Sequence, residues 1–379
     1  FDAKTAYTLI CFDPSEKRVT NREIHHGKLY LCNSMDRETL ILHLAELGTF
    51  IDSVLAEKPN PRFSMERYEE MNKVIRTEIH RNGWFDEVSV RASLKGIRSW
   101  MHADAMSALV EPYSFRAFHP SLALILAGNL PLVGFHDVLC GLLSGYKLQV
   151  KMSSEDKTLL PVFVNVLSEI DSIYTQLITL NPPRLSGYDA VIGTGSDSTL
   201  LHLSAYFRDK PHLLRGNRTS VAVLDGNETD ETLGKLAEDI FRYYGRGCRN
   251  VTHLIVPKGY SFDRFFSALY PHKEVVQNKK YGNNYEYNRA VFLLSQQPVL
   301  ENGFVLLVES ESLHPPLATL YYHAYSTEEE VTRYLSDHSE QIQCVVGRGD
   351  TPFGSAQCPE ISDFADNINT LSFLAVAHN

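Results

Sequence analysis

The chain has 379 residues, enough for two domains that each bury a core. Its 46 acidic residues against 36 basic ones give a net charge of -10, which argues against general affinity for nucleic acid or an anionic membrane and leaves room for a local basic pocket. Hydrophobic content of 44% and charged content of 22% are ordinary for a globular protein. No run reaches membrane-spanning length: the most apolar stretch, 121–135, is broken by Asn129 and Pro131. With no leader pattern visible, the expectation is a cytoplasmic protein without an integral membrane segment. The six cysteines, Cys11, Cys32, Cys140, Cys248, Cys344 and Cys358, form no CxxC or CxxH pair. They read as reduced thiols, and no metal is expected.

In chain order, 5–12 reads as a short strand, and 37–55, 65–80 and 88–101 read as helices. The pair His25 and His26 has no further ligands nearby and reads as a solvated surface pair. From about Phe118 short apolar runs alternate with helical patterns. Strands are expected near 122–126, 147–150, 190–192 and 220–224, with helices near 133–143, 157–177 and 198–207. Such alternation predicts βαβ units and a parallel sheet, whose ligands bind beyond the carboxyl ends of the strands.

Three polar turns stand at those ends. Asn129, in Ala127-Gly128-Asn129-Leu130-Pro131, suits a helix cap or an amide donor to an oxyanion. Lys151 and Ser153, at the next strand end, suit a nucleotide ribose or phosphate, or simply a solvated loop. Thr194-Gly195-Ser196, directly before a helix, suits a phosphate cradle or a plain capped turn. The full GxGxxG fingerprint is absent.

The helical run 228–244 leads into Gly245-Arg246-Gly247-Cys248-Arg249-Asn250, and the apolar run 251–256 reads as a buried strand. Cys248 therefore sits on a glycine-loosened corner. There it can be a buried structural thiol or a covalent nucleophile whose thioester oxygen meets backbone N–H groups. Arg246 and Arg249 flank it, as thiolate-stabilising cations or as salt-bridged loop residues. Downstream, a helix is expected at 262–269, a polar tyrosine-rich region at 279–287 and strands at 303–308, 319–324 and 343–346. A helix is expected at 328–335.

The order and spacing of these turns resemble the aldehyde dehydrogenase superfamily, and within it the acyl-CoA reductases of the LuxC-like fatty-acid reductase family. The resemblance runs from about 118 to the C-terminus. His119-Pro120 through Asn129-Leu130-Pro131 resembles the strand ending in Pro-Trp-Asn-Phe-Pro, with Gly128 in place of the Trp. Lys151-Met152-Ser153-Ser154 resembles Lys-Pro-Ser-Glu, and Thr194-Gly195-Ser196 resembles the Gly-Ser cofactor turn. Gly216-Asn217-Arg218-Thr219 stands where Gly-Gly-Lys-Ser is usual, and Glu311-Ser312-Leu313-His314-Pro315 resembles Glu-x-Phe-Gly-Pro, whose glutamate holds the nicotinamide ribose. The stretches 246–250, 218–224 and 353–366 look specific to the acyl-CoA reductase branch.

What the resemblance implies is a Rossmann-type parallel-sheet cofactor domain plus a second α/β domain carrying the nucleophilic cysteine. The division expected is an N-terminal helical segment and NAD(P)-binding domain over 1–213 and a catalytic thiol domain over 214–379, the tail packing back on the cofactor domain. The implied activity is reduction of a long-chain acyl-CoA to the aldehyde through an acyl-cysteine. Cys248 and Asn129 are the implied catalytic residues. Lys151, Ser153, Thr194, Gly195, Ser196 and Glu311 would bind the cofactor.

The family's general-base glutamate should fall near Leu214 or Arg215, and neither can activate water, which favours exchange with CoA over hydrolysis. Ser154 replaces the glutamate that binds the adenosine ribose, which makes NADPH plausible, with NADH as the alternative. A cysteine-dependent acyltransferase or thioesterase, or a non-catalytic acyl- or nucleotide-binding partner, stands as the competing reading. A homodimer, or a complex with an acyl-donor or aldehyde-using enzyme, is left open.

Overall fold

The structure, a computed structural model, describes residues 35–115, 120–349 and 351–377. The strand expected at 5–12, the pair His25 and His26, Cys11, Cys32, and Phe118 and His119 lie outside the described residues. Four helices come first: α1 (Arg37–Leu55), α2 (Met65–Thr77), α3 (Glu87–Trp100) and α4 (Ala103–Val110). Side chains cap the first three. Asp36, Ser64 and Asp86 accept the N–H of Thr39, Arg67 and Ser89, satisfying donors the helix itself leaves open. Their apolar faces pack on one another and on helices of the first sheet.

That sheet follows as β1 (Ser121–Ile125), α5 (Phe135–Leu143), β2 (Lys147–Lys151), α6 (Leu159–Ile170), α7 (Tyr174–Leu177), β3 (Ile178–Leu180), β4 (Ala190–Thr194), α8 (Asp197–Phe207) and β5 (His212–Arg215). Its five strands are all parallel, in the order β3-β2-β1-β4-β5. The order reverses between β1 and β4, which makes the carboxyl ends of those two strands the switch point where doubly wound sheets bind ligands. The turns of Asn129 and of Thr194-Gly195-Ser196 both start there.

The second sheet is built from β6 (Thr219–Val223), α9 (Asp230–Phe241), β7 (Val251–Pro257), α10 (Asp263–Leu269), α11 (Lys279–Leu294), β8 (Leu300–Glu301), β9 (Leu306–Glu309), β10 (Thr319–Tyr325), α12 (Glu328–Asp337) and β11 (Ile342–Val346). Its order is β11-β6-β7-β10-β9-β8, parallel except for the edge strand β8. One face buries Ala222, Leu254 and Leu320 against α9, α10 and α11, and Phe265 and Leu269 pack there as core. The other face buries Val221, Val223 and Ile255 beneath α12. The mixed α/β architecture with parallel sheets agrees with the sequence-based expectation.

The last helix, α13 (Thr370–Ala377), packs against α5 of the first sheet. Two polar ties fix it there. Tyr146 Oη donates to the Leu374 carbonyl at 3.0 Å, and Arg215 Nη2 donates to Thr370 Oγ1 at 2.6 Å. Arg215 is fully buried, and its other nitrogen grips both oxygens of Asp137 at 2.7 and 2.8 Å. A guanidinium in the interior needs such pairing, so this arginine joins β5, α5 and α13. Among the described residues no helix is long and apolar enough to cross a membrane.

Candidate active site

The corner that carries Cys248 is held from behind by Asn250. Helix α9 ends at Phe241, and a tight turn follows in which Tyr243, Tyr244 and Gly245 all take positive φ, at 55°, 61° and 73°. Two non-glycine residues in that region cost about 1 kcal/mol each, so the surroundings must hold them. Asn250, wholly buried, does so. Its Nδ2 donates to the carbonyls of Asp239, Ile240 and Arg242 at 3.0, 3.1 and 2.8 Å, while its Oδ1 accepts the Gly247 N–H at 2.7 Å. Tyr244 adds a hydrogen bond to Asp86, and its ring packs on Trp84. Gly247 has no room for a side chain without displacing Leu130, because a Cβ there would lie 3.0 Å from a Leu130 methyl.

The Asn129 turn meets this corner through a reciprocal pair. Asn129 Nδ2 donates to the Arg246 carbonyl at 3.0 Å, and Arg246 Nη1 donates to the Asn129 carbonyl at 3.0 Å. The second hydrogen of the Asn129 amide is left for another acceptor. The Arg246 guanidinium also lies over the Trp84 ring, 4.7 Å from its centre. Of the two flanking arginines, Arg246 is thus committed to Asn129 and Trp84, and Arg249 is the one whose charge acts on the thiol.

Ser220, at the start of β6, donates to the Cys248 carbonyl at 3.0 Å, and its hydroxyl also lies 3.0 Å from Cys344 Sγ. Burial pushes the Cys248 thiol up to about 11; Arg249 and the residue's own N–H act in the opposite direction, while Asp366 and Cys344 add to the rise. The resting side chain is a protonated thiol at neutral pH.

The segment after β11 runs back across this corner. Asp239, at the end of α9 and fully buried, accepts the N–H groups of Gly354 and Ala356 at 2.6 and 2.9 Å. Arg249 reaches the Ala356 carbonyl at 3.4 Å and Asp363 at 3.8 Å. Trp100 Nε1 donates to the Pro359 carbonyl, and the His136 ring bonds the Ile361 carbonyl, both at 2.8 Å.

At the switch point, Ser196 caps α8 by accepting the Thr199 N–H, and its hydroxyl meets those of Ser198 and Thr199. A Cβ on Gly195 would press on Thr199 at 3.0 Å, and one on Gly128 would overlap Ser153 at 2.5 Å. Gly128 is therefore required by the approach of the Lys151–Ser153 turn to the Asn129 turn. Asp156 pins the latter, accepting the Leu132 N–H at 2.6 Å. Lys151 pairs in register with Ile125 and presents an exposed side chain at the end of β2.

Glu311 has no hydrogen bond or ion pair to Cys248 among the described residues. It follows β9 in an exposed loop tied to α12 and to His253, and His253 belongs to the face of the second sheet opposite the Ser220 hydroxyl. The structure therefore joins Asn129 to the Cys248 loop and gathers Lys151, Ser153, Thr194, Gly195 and Ser196 near one switch point. It shows no direct contact between Glu311 and either group among the described residues.

Sequence reasoning missed Asn250, Ser220, Cys344, Trp84 and Asp239. Only Asn250 carried a signal, an asparagine directly between a glycine-rich turn and a buried strand.

A parallel switch-point sheet, a second sheet and a cysteine corner gripped by an asparagine turn make up an α/β fold like that of the aldehyde dehydrogenases. Residues 107–269, less than half of the chain, match the family model described as acyl-CoA reductase (LuxC). Among solved structures, aldehyde dehydrogenase 21 from Physcomitrella patens, in complex with the reaction product succinate, is similar at TM-score 0.60 and 11% identity, over 91% of this chain and 89% of that one. An NAD-dependent aldehyde dehydrogenase from Sinorhizobium meliloti gives 0.61 and 12%, over 82% and 70%. A Mycobacterium tuberculosis aldehyde dehydrogenase complexed with NAD+ gives 0.53 and 16%, over 78% and 71%. No curated protein matches the sequence.

Proposed function

We propose that the protein reduces a long-chain acyl-CoA to the aldehyde with NADPH, through an acyl thioester on Cys248. The observation that carries this reading is the reciprocal Asn129–Arg246 pair, which sets an amide beside the cysteine corner.

Cys248 Sγ gives up its proton to solvent and attacks the thioester carbonyl carbon, and the carbonyl electron pair moves onto oxygen. The Cys248 N–H and the remaining Asn129 hydrogen stabilise that oxyanion. Collapse expels CoA as a thiolate, which takes up a proton, and leaves the acyl group on Cys248. Arg249 offsets the charge that appears on sulfur when the proton leaves and again when the C–S bond breaks. When bound, the reduced nicotinamide supplies the hydride for the second half of the reaction.

The switch-point residues fit a dinucleotide. The start of α8 offers Ser196 and Thr199 hydroxyls beside a glycine whose Cβ position is already tight, and Lys151 supplies an exposed cation at the neighbouring strand end. Ser154 removes a carboxylate from the ribose position, and the Glu155 charge acts on Arg246. Both features favour a 2′-phosphate. We assign the cofactor side to residues 1–213 and the thiol side to residues 214–379.

The test is NADPH oxidation with a panel of acyl-CoAs, comparing the native protein with Cys248→Ala. Oxidation that depends on acyl-CoA and disappears in the variant supports the reductase, and the panel ranks chain length. A Cys248-dependent acyl adduct without consumption of NADPH or NADH replaces it with acyl transfer. With no adduct, Cys248 is structural.

A further inference from the structure

The loop after β9 exposes Glu311 and Ser312 and buries Leu313, and side chains hold the carbonyls of all three. Tyr334 Oη, from α12, donates to the Glu311 carbonyl at 2.7 Å. His253, from β7, bonds the Ser312 carbonyl through Nδ1 at 2.9 Å. Thr252 Oγ1 donates to the Leu313 carbonyl at 3.2 Å. A connection that merely crosses the surface would give these carbonyls to water. In contrast, the Glu311 carboxylate makes no hydrogen bond or ion pair among the described residues. The main chain is fixed and the acid is left free.

The protonation of the clamp follows from its partners. A carbonyl only accepts, so His253 Nδ1 carries the hydrogen. In the neutral ring Nε2 is then bare, and it accepts from His323 Nδ1 at 2.7 Å. His253 is wholly buried, so its ring is held from both ends. Tyr334 lies over His253 and His323, with ring centres 5.5 and 4.2 Å away.

We propose that Tyr334 and His253 are positioning residues that hold the Glu311–Ser312 main chain where the Glu311 carboxylate meets the nicotinamide ribose; the inference rests on the cofactor reading given above. His323 acts one step further back, by fixing the His253 tautomer.

The experiment measures NADPH affinity by its fluorescence, and CoA release on acylation of Cys248 in the absence of NADPH. It compares the native protein with Tyr334→Phe, His253→Leu, His253→Asn, Glu311→Gln and the double variant Tyr334→Phe/Glu311→Gln. Tyr334→Phe keeps the ring stack and loses only the hydroxyl. It is expected to weaken NADPH binding roughly fivefold to tenfold, the worth of one positioned hydrogen bond, and to leave CoA release within about twofold of native. His253→Leu should do the same, and His253→Asn, whose amide stands where Nδ1 was, should recover most of the affinity. Because the clamp acts through Glu311, the double variant should bind no more weakly than Glu311→Gln alone.

A merely structural role would lower the melting temperature and give additive losses in the double variant, which overturns the clamp. Loss of affinity in Glu311→Gln with full affinity in Tyr334→Phe also overturns the clamp and leaves the cofactor reading standing. Full affinity in Glu311→Gln overturns the assignment of that carboxylate, and the clamp with it.

Discussion

Cys248 sits in a place that favours its neutral form, with one cation, Arg249, working against that preference. Removing Arg249 raises the thiol further and lowers the thiolate fraction at any given pH. Alkylation of Cys248 by iodoacetamide should therefore climb about tenfold per pH unit from 7 to 9 without a plateau. Arg249→Met should be slower by roughly threefold across that range. Peptide mass spectrometry of the modified residue reads both, and a plateau near pH 8 would contradict the burial argument. Two residues along, Asn250 is a structural requirement of the same corner. Asn250→Ala strips three carbonyls and one N–H of their buried partner and should cost about 3 kcal/mol in a urea melt. Asn250→Asp should be no better, since a carboxylate there faces three carbonyl oxygens. Stability within 1 kcal/mol of native in either variant would show that the two left-handed tyrosines hold the turn without it.

Elements with strong periodicity were legible in the sequence, and the turns between them carried more of the site than the elements did. Strands β1, β4, β6 and β7 fall where the apolar runs put them, because parallel strands buried on both faces read as continuous apolar segments, while β2 was legible from Leu148 and Val150 alone, which alternate with exposed or half-buried polar residues. The run 157–177 looks like one helix and is two, α6 and α7, separated by Asp171, Ser172 and Ile173, and the short strand β3 follows directly. Helix α11 escaped notice because Gly282, Asn283 and Asn284 look like a loop. Its buried residues Tyr281, Tyr285, Asn288 and Phe292 do repeat at helical spacing, and Gly282 is needed because a Cβ would meet the Val276 carbonyl at 2.6 Å. The asparagine turn offers a test of its own. Burial pushes the Asp156 carboxyl up to about 7, against the Leu132 N–H, which favours the charge; Glu78 adds to the rise. One of its oxygens accepts from Leu132, and the other has no partner among the described residues. A carboxyl whose folded pKa is raised contributes stability below its ordinary value, and that contribution is lost as pH rises from about 4 through 7. Asp156→Asn keeps the acceptor for Leu132 and removes the charge. It should therefore gain about 1–2 kcal/mol over native in urea melts at pH 8 and little at pH 5. An equal effect at both pH values would mean that charge burial is not the cause.

At the scale of the whole molecule, one position bears on both the packing and the proposed reaction. Position 215, near which the resemblance described above implies a general base, holds an arginine locked to Asp137 and Thr370. Sequence showed only that no carboxylate stands there. The structure adds that the arginine is part of the joint between β5, α5 and α13, a long-range triad that no local pattern reports. Asp137→Ala should destabilise the protein by about 3–5 kcal/mol, since it strands a buried guanidinium, and thermal melting reads it directly. For the chemistry, an acyl-enzyme with no base to activate water should wait for CoA. Acyl-Cys248 is formed by mixing with acyl-CoA in the absence of NADPH and freed of excess ligand. By intact mass it should persist about as long as a simple alkyl thioester in the same buffer, and added CoA should discharge it quickly. Hydrolysis more than about tenfold faster than that model thioester would mean that another acid activates water. Asp366, whose charge bears on Cys248, would then be the group to remove. Asp366→Asn would restore a lasting acyl-enzyme if it were that base, and would leave fast hydrolysis unchanged if it were not.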